Sequence, residues 1–567
     1  MSTCTTAGPD LRALPFGLDE RQVRWVEEQL SALSVRQKVG QVMCPYLPAG
    51  EAKAWTRWLR ERDIEPGAVM LTRRSRSAAA ADIATLQEWS RLPMLVAANL
   101  EAGAGTVLDE EISFGNPMQI AASRDPLHAH RLAVHCARIA NEIGVNWAFA
   151  PVVDIALNSR NPITNTRAFS DDPALVAELS TAFVRELEQR SIATSVKHFP
   201  GDGIDGRDQH LLATNNDQTL EEWRNSFEPV YRSNFAAGAR TVMVGHIRHP
   251  AWSRELVPGI QPGELLPASL AHELATRLLR DHLGFAGLVV TDNSAMAGMT
   301  TVMDREQAVP MAITAGCDML LGNVDFEEDF TILLDAVETG VLPLHRLDSA
   351  VRTVLALKAS IGLNDGTDRT DREQPAPQEE DQWRTDLARA SATLVKDTLP
   401  LLPLSAQTHR RALVYVLGDG PTYYDPSGSL AGRFVAGLEK RGLEVTVRHI
   451  PGEDRTVAAA SRLHDEFDVC LYFANVRFMG NSNTLRVTFS RPQAPDAPRH
   501  VRKLPTALVS VADPYLLQDM PMIKTAVNSY TPTPASVDAC LEVLFGELAA
   551  SGQSPVDAFA GHWDAAL

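Results

Sequence analysis

The chain has 567 residues, of which 45% are hydrophobic and 22% charged. That is folded globular composition rather than disorder, and the length exceeds one ordinary core, so at least two domains are expected. A formal net charge of −18 argues against nucleic acid and against an anionic membrane surface as partners.

The amino-terminal stretch "MSTCTTAGPD" lacks the basic and apolar regions of a secretory signal, and no run of about 18 apolar residues follows anywhere. No membrane span is expected, and the cytoplasm is the expected location. The six cysteines, Cys4, Cys44, Cys136, Cys317, Cys470 and Cys540, are scattered without zinc spacing and read as thiols in a reducing compartment.

Between Lys38 and Asn323 lie eight short apolar runs: "KVGQVM", "GAVMLT", "MLVAAN", "NWAFAPVVD", "ATSVKHF", "TVMVGHI", "LVVTDN" and "DMLLGN". Stretches of helical patterning, such as "DPALVAELSTAFVRELEQR", separate them. Near-continuous apolar strands alternating with helices predict a parallel sheet covered on both faces, and eight units are the number that closes a (β/α)8 barrel. From Asn364, "NDGTDRTDREQPAPQEEDQW" is polar and Pro-bearing, the composition of a linker. Five more strand candidates follow: "ALVYVLGD", "LEVTVRHI", "DVCLYFAN", "TALVSVAD" and "IKTAVNSY". The expected fold class is therefore α/β, with an N-terminal (β/α)8 TIM-like barrel over 1–363, a linker over 364–385 and a C-terminal α/β sandwich domain over 386–567.

In a barrel, functional groups belong at the carboxyl ends of the strands. There the sequence has Asn99 and Glu101 after the third strand, Asp154 and then Arg167 after the fourth, and Lys197 and His198 at the fifth. His246 ends the sixth strand and Asp292 the seventh. After the fifth strand runs "KHFPGDGIDGRDQH", dense in ionisable groups and glycine; a solvated surface loop is the ordinary reading of such a stretch. Two other patterns carry little. "GDG" at Gly418 to Gly420 has Tyr423 at the third-glycine position of a dinucleotide fingerprint. His246 and His249 have no carboxylate or cysteine at ligand spacing.

These residues resemble family 3 of the glycoside hydrolases, in its β-N-acetylglucosaminidase branch. The branch signature, KH-F-PG-x-G followed by D-x-H, is matched by "KHFPGDG" and Asp208-Gln209-His210. "LSVRQKVGQVM", "NWAFAPVVDIALNSRNPITNTRAFSDDP", "MVGHI", "LPASL" and "GFAGLVVTDNSAMAGM" support it, and "DPYLL", "AVNSY" and "VLFGELAASGQSPV" resemble the family's sandwich domain. Family 3 β-glucosidases lack the D-x-H motif and usually take their acid/base from the second domain.

The resemblance implies a retaining exo-β-N-acetylglucosaminidase acting on N-acetylglucosamine-containing glycosides or oligosaccharides. Asp292 is implied as the nucleophile; the competing reading of that residue is a helix N-cap before "SAMAGM". His210, paired with Asp208, is implied as the acid/base, since imidazole titrates near neutrality and a carboxylate on one ring nitrogen fixes its tautomer. Lys197, His198 and Arg167 are implied as sugar ligands. Asn99 stands where the family usually has an aspartate, Val107 where the cell-wall-recycling members have an arginine, and Asp202 where the branch usually has His or Leu. These departures point away from muropeptides. No metal or organic cofactor is implied. Two rivals stand beside the hydrolase. One is a phosphorylase that uses inorganic phosphate on the same covalent intermediate. The other is a non-catalytic sugar-binding protein, against which the joint presence of Asp292, Asp208 and His210 argues.

Overall fold

A computed structural model describes residues 10–366, 374–418, 428–452, 456–477, 481 and 486–567. Cys4, most of the "GDG" turn and residues 367–373 of the expected linker lie outside the described residues. The five described cysteines are buried and free. Among the described residues, no helix is long and apolar enough to cross a membrane.

The first predicted strand needs correction. Most of "KVGQVM" belongs to a helix, Val35–Gln41, and the extended residues come later, at Met43–Cys44 (β1) and Tyr46–Leu47 (β2). A capping box explains the difference. Ser34 accepts from the Gln37 N–H while the Gln37 side chain accepts from the Ser34 N–H, so two orphan donors are satisfied and the helix starts there. Val39 is buried and would be so in either conformation.

The remaining strands fall within their predicted runs: Ala68–Leu71 (β3), Leu95–Ala98 (β4), Trp147–Ala148 (β5) and Ala193–Phe199 (β6). Thr214–Asn215 (β7), in the loop after β6, pairs in parallel with Ile247–Arg248 (β9), in the loop after Thr241–Val244 (β8). Leu288–Thr291 (β10) and Leu320–Leu321 (β11) complete the set. Every residue of β3, β4, β6, β8 and β10 is buried, as expected of strands covered on both faces.

Pairing runs β10–β8–β6–β5–β4–β3–β2, and β1 pairs with β11. A bridge joins Val290 of β10 to Met319 beside β11, and only Pro45 separates β1 from β2. The parallel hydrogen bonds thus pass round a curled sheet, in the TIM-like architecture.

The carboxyl-terminal part is a six-stranded sheet formed by Thr393–Asp397 (β12), Arg411–Leu417 (β13), Glu444–Ile450 (β14), Val469–Ala474 (β15), Thr506–Ser510 (β16) and Thr525–Asn528 (β17). Their order is β12–β17–β16–β15–β13–β14, with β12 alone antiparallel. Alternate residues of the central strands feed two separate apolar clusters, one per face.

Helix Pro377–Ser391 begins inside the stretch expected as linker. Pro377 at its first position and the acidic Glu379 and Glu380 in its first turn suit a helix start. Glu380 is buried. It accepts both hydrogen bonds of the Arg138 fork at 2.7 Å and lies 2.9 Å from His135 Nδ1, which ties the helix to the barrel. The two sheets' surroundings also meet directly. Met118, Ala122, Ala156 and Ala168 form one buried cluster with Tyr515, Tyr530 and Val556. Beside it Asn116 donates its backbone N–H to Thr531 Oγ1 at 2.8 Å and its side-chain amide to the Tyr530 carbonyl at 2.9 Å.

Candidate active site

At the carboxyl ends of the barrel strands lies a cavity of about 520 Å³, within the usual range for small-molecule clefts. Six of the seven residues given a role in the sequence reading line it: Asn99, Arg167, Lys197, His198, His210 and Asp292. The seventh, Asp208, is buried behind His210.

Asp292 follows β10 directly. Its backbone N–H donates to the Val244 carbonyl of the neighbouring strand at 2.8 Å, and its Oδ1 accepts from the Asn293 N–H at 2.7 Å. That second contact is local, yet no helix is capped by it; the next helix, Ala297–Thr300, starts beyond Met296. Burial would raise the Asp292 carboxyl, but His198, His246 and His210 around it outweigh this and hold it below its ordinary value.

His198 is fixed from behind. Its Nδ1 lies 2.7 Å from Asp154 Oδ2, and its backbone N–H donates to Asp154 Oδ1 at 3.0 Å. The other ring nitrogen, Nε2, stands 4.0 Å from Asp292 Oδ2. His246 is enclosed too, with Nε2 at 3.0 Å from the Asn293 carbonyl and Nδ1 at 2.8 Å from Ser269 Oγ. A carbonyl can only accept, so Nε2 carries the proton and Nδ1 accepts from the hydroxyl. Burial lowers its pKa, and the ring is enclosed rather than part of the cavity lining. Among the described residues no cluster suits a metal ion.

On the opposite wall, Arg167 and Lys197 converge on Glu101. Arg167 donates Nε and Nη2 to its two oxygens, each at 2.8 Å, and Lys197 Nζ lies 2.6 Å from Oε1. Lys197 also donates to Asn99 Oδ1 at 3.1 Å. Burial pushes Glu101 up, but the two cations hold it well below the carboxylate range. Two positive charges and one negative leave this wall with one net positive charge. It is a preorganised set of donors and acceptors suited to sugar hydroxyls.

His210 stands on the loop after β6. Its Nδ1 is 2.7 Å from Asp208 Oδ1, which also accepts the His210 backbone N–H at 2.8 Å. The carboxylate therefore accepts a hydrogen bond from Nδ1–H and leaves Nε2 to exchange a proton with a bound molecule. Burial alone would lower the His210 pKa; the bond to Asp208 and the charges of Asp292 and Asp208 outweigh it and raise the value. The second oxygen of Asp208 accepts the backbone N–H of Asn481, at 2.6 Å, from the C-terminal part of the chain.

The sequence places Glu101 and Asp154 at strand ends but assigns them no role; the structure makes them the anchors of Lys197, Arg167 and His198. Their signal was available, as a buried cation at a strand end calls for a buried anion. Asn481 had no such signal, because it acts through its main chain. Taken together, a carboxylate and an imidazole with one free nitrogen face a common cavity. Such a pair can attack an electrophilic carbon and move a proton at the departing atom.

The model of the glycosyl hydrolase family 3 N-terminal domain matches residues 34–357. A beta-N-acetylglucosaminidase/beta-glucosidase of Cellulomonas fimi is 41% identical over 566 residues, covering 98% of this chain and 100% of its own. A solved beta-glucoside phosphorylase, BglX, superposes with a TM-score of 0.89 at 34% identity, over 98% of this chain and 99% of that one. A family 3 beta-N-acetylglucosaminidase from Paenibacillus sp. shares the fold, with a TM-score of 0.78 at 24% identity over 93% and 99% of the two chains.

Proposed function

The chain belongs to glycosyl hydrolase family 3, and from that premise we propose that it is a retaining exo-β-N-acetylglucosaminidase with Asp292 as nucleophile and the His210–Asp208 pair as acid/base. Residues 1–363 carry the groups that meet the sugar, and residues 386–567 contribute the Asn481 N–H behind the pair. In the first step an Asp292 oxygen bonds to the anomeric carbon as the glycosidic C–O bond breaks. His210 Nε2 gives its proton to the leaving oxygen. In the second, water loses a proton to Nε2 and its oxygen displaces Asp292, so two inversions give net retention. Arg167, Lys197, His198 and Asn99 bind hydroxyls and hold the ring.

One observation carries this reading: Asp292 and the unoccupied Nε2 of His210 line the same cavity while each is locked from behind. A fluorinated β-N-acetylglucosaminide that forms the ester but hydrolyses slowly should add one sugar mass to the protein, mapping to the Asp292 peptide. Labelling elsewhere, or no turnover of a chromogenic β-N-acetylglucosaminide, overturns it.

Phosphorolysis is the second reading, favoured by the base being an imidazole. A carboxylate base would repel a phosphate dianion in a desolvated site, and a neutral imidazole does not. The likeness to a phosphorylase points the same way. NMR of the products with and without phosphate decides: N-acetylglucosamine 1-phosphate supports phosphorolysis, and free sugar alone at a phosphate-independent rate rules it out.

A further inference from the structure

Asp202 lies fully inside the protein and touches no part of the cavity. Its Oδ1 accepts from Asn161 Nδ2 at 2.6 Å and from the Gly203 N–H at 2.7 Å. Its Oδ2 accepts from Gln209 Nε2 at 3.3 Å. Neither amide is free to turn over. Asn161 Oδ1 already accepts from the N–H groups of Ile163 and Thr164 and from the Thr164 hydroxyl. Gln209 Oε1 accepts from the His246 N–H at 3.0 Å. Both therefore present their NH2 groups to Asp202, and every partner of its carboxylate is a donor.

We infer that Asp202 is a positioning residue for proton transfer: its carboxylate clamps Gln209, and with it the flanking Asp208 and His210, to the loop that carries Asn161. The inference rests on the acid/base assignment made above. Gln209 is the residue between the two members of the pair, its side chain is buried, and it points away from the cavity into this clamp. A shift of the Gln209 amide moves both neighbours at once. The donors around it favour the anion, and its surroundings oppose it. Burial and the adjacent Asp154 carboxylate push Asp202 up to about 7, opposed by His198 and by its hydrogen bonds. The same two carboxylates, with burial, also raise the pKa of Tyr231. A buried ionisable group with a strongly shifted pKa, met by donors from two loops, is a feature expected near a working site.

The test is an exchange of polarity between two atoms. In Asp202→Asn an amide NH2 must face the NH2 of Gln209, and the clamp opens. Turnover of substrates with poor leaving groups should fall by about 10- to 100-fold, the size of loss that small misplacements of catalytic groups cause. Turnover of good leaving groups in the first step should fall much less. Gln209→Glu alone sets two carboxylates against each other and should also lose. The double variant Asp202→Asn/Gln209→Glu restores a donor opposite an acceptor and leaves an acceptor for the His246 N–H. It should recover most of the poor-leaving-group rate, well above the product of the two single losses. Equal losses across leaving groups in Asp202→Asn, or a double variant no better than that product, overturns the clamp. His210→Ala is run alongside: if it shows no dependence on leaving group, the acid/base assignment fails instead.

Discussion

Three histidines surround Asp292, and each solves a different electrostatic problem. His198 is held by Asp154 and His246 by Ser269 and the Asn293 carbonyl, while His210 is held by Asp208 and turns its other nitrogen to the cavity. Removing the proposed nucleophile should be the severest change. Asp292→Asn is expected to lower kcat by about 10⁴-fold or more for good and poor leaving groups alike, measured with a chromogenic and a natural β-N-acetylglucosaminide. His210→Ala should cost about 10²- to 10⁴-fold on poor leaving groups, with azide restoring turnover of good ones, read as glycosyl azide. Asp208→Asn weakens the bond and removes the charge that raise His210, so the basic limb of the kcat/KM profile, set by loss of the imidazolium proton, should move to lower pH. Asp202 makes a prediction of opposite sense for stability. Its pKa is raised from 3.8 to about 7, so its contribution to stability is complete below about 3.8 and is lost as pH rises through about 7. Asp202→Asn should accordingly be more stable relative to the parent at pH 8 than at pH 5, by urea denaturation. At this scale the sequence shows which side chains reach the cavity, because strand ends mark them. It cannot show which oxygen of Asp202 meets which donor, since those partners come from two separate loops.

The loop after β6 explains why glycine is dense in it. Gly203 has φ +100°, and a Cβ there would sit 1.9 Å from the Ile155 carbonyl oxygen. Gly203→Ala is expected to destabilise by roughly 3 kcal/mol or more, and to move Asp202 through the adjoining N–H. A thermal melt and the leaving-group comparison read the two effects separately. Strands were legible as apolar runs because burial on both faces leaves an uninterrupted signal. The start of the first was misread because the capping box from Ser34 to Gln37 competes locally with a pattern that carries no period. Helix Pro377–Ser391 was hidden for the opposite reason. Its mean composition is polar, and a few buried positions, Glu380, Leu387 and Ala388, do the anchoring.

For the whole molecule, the decisive surface joins the barrel to the C-terminal sheet. Met118 is fully buried there among Tyr515, Tyr530 and Val556. Met118→Asp would bury an unpaired charge and should loosen this contact. Calorimetry is expected to show two transitions in place of one, and activity to fall chiefly on poor leaving groups, because Asp208 loses the Asn481 N–H. That single bond has a consequence for how the chain tolerates change. Asn481 contributes a main-chain amide at φ +72°, a conformation that Asn, Gly and Asp adopt readily. Substitution among those three should be nearly silent in a mutational scan. Proline at that position has no N–H to give and should be as damaging as losing the bond. Here a backbone hydrogen, rather than a side chain, is what variation across relatives would have to preserve.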